Sequence, residues 1–191
     1  MIPNFYERNA GRMPEKWLTM IKQSMQSLTP LFNTDRMLQE YIRDMYASSA
    51  QRECALTADG FTLARQLADW KSKLPMRFSS LRLIDVSIEG IHGDTVIVDQ
   101  PLTVSARIDP GKLAPEEILV EMMIGHRNGH DFVRQPESVP LKLVGASPDG
   151  ILTFSTDYIV QQNGLYSYGI RVVPRHNDLA SKLETGLILW G

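Results

Sequence analysis

At 191 residues the chain has room for one large or two small domains. Its 43% hydrophobic and 22% charged residues are ordinary for a folded globular protein, and a formal net charge of −2 gives no electrostatic reason to expect nucleic acid or an anionic membrane as partner. The single cysteine, Cys54, excludes an internal disulfide framework and reads as a small buried hydrophobe near a helix start. Met1 is followed by IPNFYERNAGRMP, which has neither the charged start nor the apolar run of a signal peptide. No apolar stretch approaches the ~20 residues of a membrane span, so a cytoplasmic location is expected.

Composition changes near Pro75–Ser80. Residues 1–78 hold 11 Lys/Arg and 8 Asp/Glu, a net of +3, whereas 79–191 hold 9 and 14, a net of −5. Seven of nine methionines but only two of 13 glycines fall in the first part, which therefore reads as helical and the second as strands and turns. Pro14 suits the first turn of a helix whose apolar face is Trp17, Met20, Ile21, Met25 and Leu28. Thr29-Pro30 ends it, and Asn33 or Thr34 caps a second helix with Met37, Leu38, Tyr41, Ile42 and Met45 on its apolar stripe. A third helix is predicted from a Thr57 cap to Lys73, stopped by Pro75. These helices carry more apolar side chain than a small unit hides, so they pack on the second part or on a domain outside the chain.

From Leu81 the pattern alternates. Strands are expected over 81–90 (with a bulge near Asp85), 102–109, 118–125, 139–145, 151–160, 165–174 and 187–190. Asp109-Pro110-Gly111, Asn128-Gly129, Pro148-Asp149-Gly150 and Asn163-Gly164 supply turns, the last reading as a hairpin between the flanking strands. The fold class is thus α+β: about three helices over 1–78, then an immunoglobulin-like antiparallel β-sandwich over 79–191.

Few residues suggest chemistry. His126, His130 and Asp131 offer metal-ligand types, but beside Asn128-Gly129 they read as a solvated hairpin tip, and no metal residue is assigned. Arg171, Arg175 and His176 could contact an anion or sugar hydroxyls, or Arg175 and His176 could cap a strand end and pair with Asp178. Tyr166 and Tyr168 share strand parity and, with Phe132 and Trp190, could form a sugar-stacking platform or serve as core. Glu116, Glu117 and Asp157 are carboxylates without the paired spacing glycoside hydrolysis needs.

Four runs carry a family resemblance: PNFYER (3–8), KWLTMIKQSMQSLTPLFNTDRMLQEYIRDMY (16–46), FTLARQLADWKSKLP (61–75) and LYSYGIRVVPRHNDLASKLETGLILWG (165–191). They resemble the carboxy-terminal end of bacterial α-glucan phosphorylases, where closing helices of the second catalytic domain precede an appended β-domain. The resemblance implies phosphorolysis of α-1,4-glucan to glucose 1-phosphate, with pyridoxal phosphate as cofactor on a lysine in a Gly-rich S-G-M-K-type motif. That motif is absent: Lys16, Lys22, Lys71 and Lys73 lie on helical patterns without flanking glycines. No catalytic or cofactor residue is therefore carried over, and the segment alone is expected to be inactive. It implies a structural or regulatory role, with the rest of the phosphorylase chain and α-glucan as partners. The alternative is a free-standing β-sandwich that binds carbohydrate or protein.

Overall fold

Local sequence explains where most helices start and stop. The computed structural model describes residues 2–93, 95–127 and 136–191. After α1 (Ile2–Tyr6), α2 (Glu15–Leu28) ends just before Thr29-Pro30, although Thr29 itself keeps helical φ and ψ of −58° and −43°. Asn33 caps α3 (Thr34–Tyr41), its side-chain oxygen accepting the Arg36 N–H at 2.7 Å. A π-helical turn (Ile42–Tyr46), which no sequence signal announced, leads into α4 (Ala47–Phe78).

α4 corrects three expectations. Thr57 is no cap: its hydroxyl donates to the Glu53 carbonyl at 2.8 Å inside the helix. The interruption falls after it, where Ala58 is extended and Asp59, Gly60 and Phe61 have φ of 47°, 63° and 67°. Pro75 does not stop the helix, which runs on to Phe78 because Leu74 and Phe78 are both buried. Proline removes one hydrogen bond, and the packing on either side outweighs that loss. Cys54 lies within α4 and is exposed, not buried. No helix among the described residues is long and apolar enough to cross a membrane.

The chain forms two compact units, Met1–Arg65 and Gln66–Gly191. In the first, no residue of α2, α3 or the π turn is buried. Its local order comes from contacts such as the edge-on packing of Phe5 against Trp17, with ring centroids 5.6 Å apart.

The second unit takes in the last turns of α4 and the strands β1 (Arg82–Glu89), β2 (Ile91–His92), β3 (Thr95–Val96), β4 (Pro101–Asp109) and β5 (Ile118–His126). β6 (Glu137–Pro140), β7 (Lys142–Ala146), β8 (Leu152–Ile159), β9 (Tyr166–Pro174) and β10 (Leu189–Trp190) complete it. Among the described residues these strands make two four-stranded antiparallel sheets, ordered β1-β4-β8-β7 and β10-β9-β5-β6, and a small β2-β3 hairpin. Leaving that hairpin aside, the orders match the A-B-E-D and G-F-C sheets of the immunoglobulin sandwich, with β6 added beside C. The register of β1 against β4 shifts between Leu83 and Asp85, the bulge expected there. The strand expected over 139–145 is instead divided: Leu141, 5% exposed, separates β6 in one sheet from β7 in the other. Asn163-Gly164 likewise joins strands of different sheets and makes no hairpin, because β8 pairs with β4 and β7 while β9 pairs with β5 and β10.

Alternation builds the core. Val104, Ala106 and Ile108 of β4, with Leu152 and Phe154 of β8 beside them in the same sheet, face Ile118, Val120 and Met122 of β5 and Ile170 and Val172 of β9. Leu74, Phe78 and Leu81 join the same cluster, so the end of α4 closes one end of the sandwich.

Glu117 fastens that closure. Its carboxylate accepts the Trp70 indole N–H at 2.9 Å, Arg77 Nη1 at 2.7 Å and the Ala114 backbone N–H at 2.9 Å, with Arg77 Nη2 on the second oxygen as well. Arg77 also donates to the Lys112 carbonyl from Nε at 3.2 Å. The neighbouring Gly111 is required as glycine: at φ 56°, a Cβ would stand 2.3 Å from Ser80 Oγ. Burial is the largest single influence on the Glu117 carboxyl and pushes its pKa up, but the donors from Arg77, Ala114 and Trp70 together outweigh it and hold the value at about 2.

Glu117→Gln is expected to lower the unfolding free energy by about 2 kcal/mol, measured by urea denaturation. An unchanged midpoint would show that the pair contributes nothing. Because the folded-state value lies below the ordinary 4.5, the contribution is complete above that pH and fades as pH falls toward about 2. The wild-type chain should lose this increment across that window, and the Gln variant should not.

Candidate functional site

The residues singled out in the sequence separate into two places. Arg171 lies on the outer face of the second sheet, directly opposite Glu121 on β5. Both are buried; Arg171 Nε donates to Glu121 Oε2 at 2.9 Å, and its Nη2 is ion-paired with the same oxygen at 2.8 Å. Glu121 Oε1 accepts Lys182 Nζ at 2.5 Å and the Ser138 hydroxyl at 2.7 Å. Burial acts most strongly on Glu121 and favours its neutral form, yet the donors from Lys182, Ser138 and Arg171 prevail and its pKa is lowered. The guanidinium of Arg171 is thus engaged within the fold. The Arg175 side chain is exposed, and its backbone N–H donates to the Glu117 carbonyl at 2.7 Å. His176 packs on Trp70, ring centroids 4.8 Å apart, and its Nδ1 accepts the Asp178 N–H at 3.2 Å.

Tyr166 and Tyr168 lie elsewhere, near the start of β9. The β5–β9 register runs unbroken from Ile118↔Pro174 to His126↔Tyr166. Gly169 therefore makes no bulge, and both tyrosines share the face of Ile170 and Val172. Where the sheets part, that face borders a cleft of about 400 Å³ walled by aliphatic residues such as Ile88, Leu102 and Ile124. Tyr168 and Leu165 border it too and are 53% and 73% exposed.

A second hollow of about 330 Å³ adjoins the cleft, sharing Ile124, Gln162 and Tyr166 as common wall. Its lining is polar: His126, Glu137, Tyr158 and Gln161 join Gln162 and Tyr166. The Tyr158 hydroxyl donates to Glu137 Oε2 at 3.0 Å. Burial first, and the adjacent carboxylate second, push the Tyr158 pKa up to about 12, so it remains a donor. The Tyr166 hydroxyl donates to the Gln162 carbonyl at 3.0 Å and lies 2.8 Å from His126 Nε2. A carbonyl can only accept, so the one hydroxyl proton goes to Gln162, and His126 Nε2–H donates to the tyrosine oxygen. Gly164 approaches the same ring so closely that a Cβ there would stand 2.9 Å from Nδ1.

His130, Asp131 and Phe132 lie outside the described residues. Trp190 is 55% exposed at the far edge of the second sheet, on β10, and its ring passes 3.7 Å from where a Gly169 Cβ would be. The polar hollow escaped sequence reasoning because its groups come from β5, β6, β8, β9 and the 161–162 connection, with no shared motif. The adjacent amides Gln161-Gln162, just before Asn163-Gly164, were its one local signal.

Comparison with known proteins gives these arrangements a context. The family model for the glycogen phosphorylase C-terminal domain matches residues 79–191. The chain is 30% identical over 186 residues to a glycogen phosphorylase of Mycobacterium tuberculosis, covering 97% of this chain and 21% of that protein. It is 27% identical over 197 residues to a maltodextrin phosphorylase of Thermococcus litoralis, covering 100% of this chain and 21% of that protein. A 53-residue stretch, 28% of this chain and 8% of the relative, is 40% identical to a glycogen phosphorylase of Aquifex aeolicus. The chain spans about a fifth of the length of the first two relatives. With more than half of its residues inside the matched domain, this chain belongs to the glycogen phosphorylase C-terminal domain family.

Proposed function

We propose that this chain serves as the carboxy-terminal portion of an α-1,4-glucan phosphorylase, and that its own contribution is structural. The helical unit completes the catalytic part and the sandwich is an accessory domain. The observation that carries this is the uncovered apolar face of Met1–Arg65. Leu38, Tyr41, Ile42 and Met45 are 51%, 46%, 50% and 56% exposed, at the three- and four-residue spacing of buried helix faces. Covering a side chain of this size is worth about 1.5–3 kcal/mol, so a face of this extent favours a permanent partner. The similarity to the tuberculosis enzyme takes in this unit as well as the sandwich, which supports the upstream part of such an enzyme as that partner.

Pyridoxal phosphate, which the family implies for a whole enzyme, does not fit the four of the seven lysines that carboxylates engage. Lys16, Lys71, Lys73 and Lys182 are each ion-paired with a carboxylate: Glu7, Glu184, Asp69 and Glu121. The cofactor and the phosphorolytic steps are assigned to the remainder of the enzyme, and no step is derived from these residues. A second reading, in which the sandwich also holds carbohydrate, is favoured by the apolar cleft and the polar hollow that meet at Tyr166.

Given maltodextrin and inorganic phosphate, the chain alone should release no glucose 1-phosphate, measured by a coupled assay. Turnover by the isolated chain would overturn the structural reading. In the isolated chain Leu38→Glu should change stability by less than ~0.5 kcal/mol, since the side chain is exposed. In a phosphorylase polypeptide carrying this segment the same substitution should cost several-fold more stability, read by thermal denaturation. Equal effects in the two settings would remove the case for a covered face.

A further inference from the structure

We propose that the polar hollow formed by His126, Glu137, Tyr158, Gln161, Gln162 and Tyr166, with the apolar cleft beside it, is a binding site for a neutral oligosaccharide. The ligand is taken to be a segment of α-1,4-glucan. The choice of α-glucan among neutral saccharides rests on the phosphorylase reading; the polyhydroxyl class rests on the hollow itself.

The chemistry of the lining selects this class. Among the described residues no Lys or Arg lines the hollow, and Glu137 supplies negative charge, which disfavours phosphate esters and other anions. Among the described residues no three His, Cys, Asp or Glu side chains gather as a cation would need. What remains beside Glu137 is a set of neutral groups that both donate and accept. Each glutamine amide offers two N–H donors and a carbonyl, matching hydroxyls that also do both. Gln161, Gln162 and Glu137 are exposed, so a ligand can reach them.

The other groups are positioned in advance. Tyr158 is held by Glu137, and Tyr166 is held between the Gln162 carbonyl and His126. Ordering these rings within the fold lowers the entropy cost of binding. The adjoining cleft supplies the other half of a sugar's requirement. A pyranose presents hydroxyls at its rim and C–H groups on its faces. The shared wall of Tyr166, Gln162 and Ile124 places a polar surface and an apolar one on either side of a single ridge. Exposed Tyr168 and Leu165 extend the apolar side, which offers a reason for two large apolar side chains to stand uncovered.

The test is calorimetric titration of the chain with maltoheptaose, with inorganic phosphate and glucose 1-phosphate as separate probes. Saturable binding of maltoheptaose is expected, weakened about tenfold in Gln162→Ala, the fold-change of one lost hydrogen bond. Tyr158→Phe should weaken it comparably, and Val144→Ser on β7, outside both hollows, should leave it unchanged. The Gln162 side chain is exposed, so its variant keeps the test meaningful if Tyr158→Phe unfolds. Absence of maltoheptaose binding, binding insensitive to Gln162→Ala, or tighter binding of phosphate would each overturn the site. None of these outcomes bears on the phosphorylase reading, which stands or falls on the Leu38→Glu comparison.

Discussion

The sandwich unit depends on one carboxylate. Glu117 sits at the end of a single 3₁₀ turn (Pro115–Glu117) before β5, where it takes hydrogen bonds from an indole, a guanidinium and a backbone amide. Two of these donors belong to the end of α4, so one side chain fixes that helix against the strand that lies next to the middle of the second sheet. Leu74 and Phe78 then close the core end, and Trp70 carries His176 on its ring. An apolar residue could fill the same space, but it would not specify the rotation of the helix.

A second carboxylate organises the outer face of β5, the strand that follows. Glu121 points away from the core but is only 3% exposed, because Lys182 reaches back across the outer face of the sheet. The segment after β9 is therefore a roof on the second sheet. Glu117 and Glu121 differ in this respect from Gln161 and Gln162 of the polar hollow: the carboxylates are held by donors within the fold, whereas the two glutamines are exposed.

Much of the architecture was legible in the sequence because it follows from local stereochemistry. Asn33 as a cap, Thr29-Pro30 as a stop and the bulge at Asp85 need no knowledge of distant residues. The failures share a cause. Pro75 would end a helix in isolation, but Leu74 and Phe78 are committed to the sandwich core. Asn163-Gly164 has the dipeptide of a hairpin, yet which strand β8 pairs with is decided by β4, some fifty residues earlier. The engagement of Arg171 was hidden for the same reason: its partner Glu121 lies 50 positions away. At the site, parity was enough to place Tyr166 and Tyr168 together. The polar groups around them became neighbours only through the meeting of strand ends from both sheets.

The order of strands also bears on how the sandwich is made during synthesis. β9 lies between β5 and β10, and its nine residues pair along the whole of β5, from Ile118↔Pro174 to His126↔Tyr166. The middle of the second sheet is thus translated near the end of the chain. β1, β4, β7 and β8 leave the ribosome with core faces that have no completed opposite wall until residue 174 has followed. Such long-range pairing closes slowly and leaves strand edges uncovered in the interval. The sandwich should form in one late step, and chains stalled before β9 would be the species most prone to aggregation.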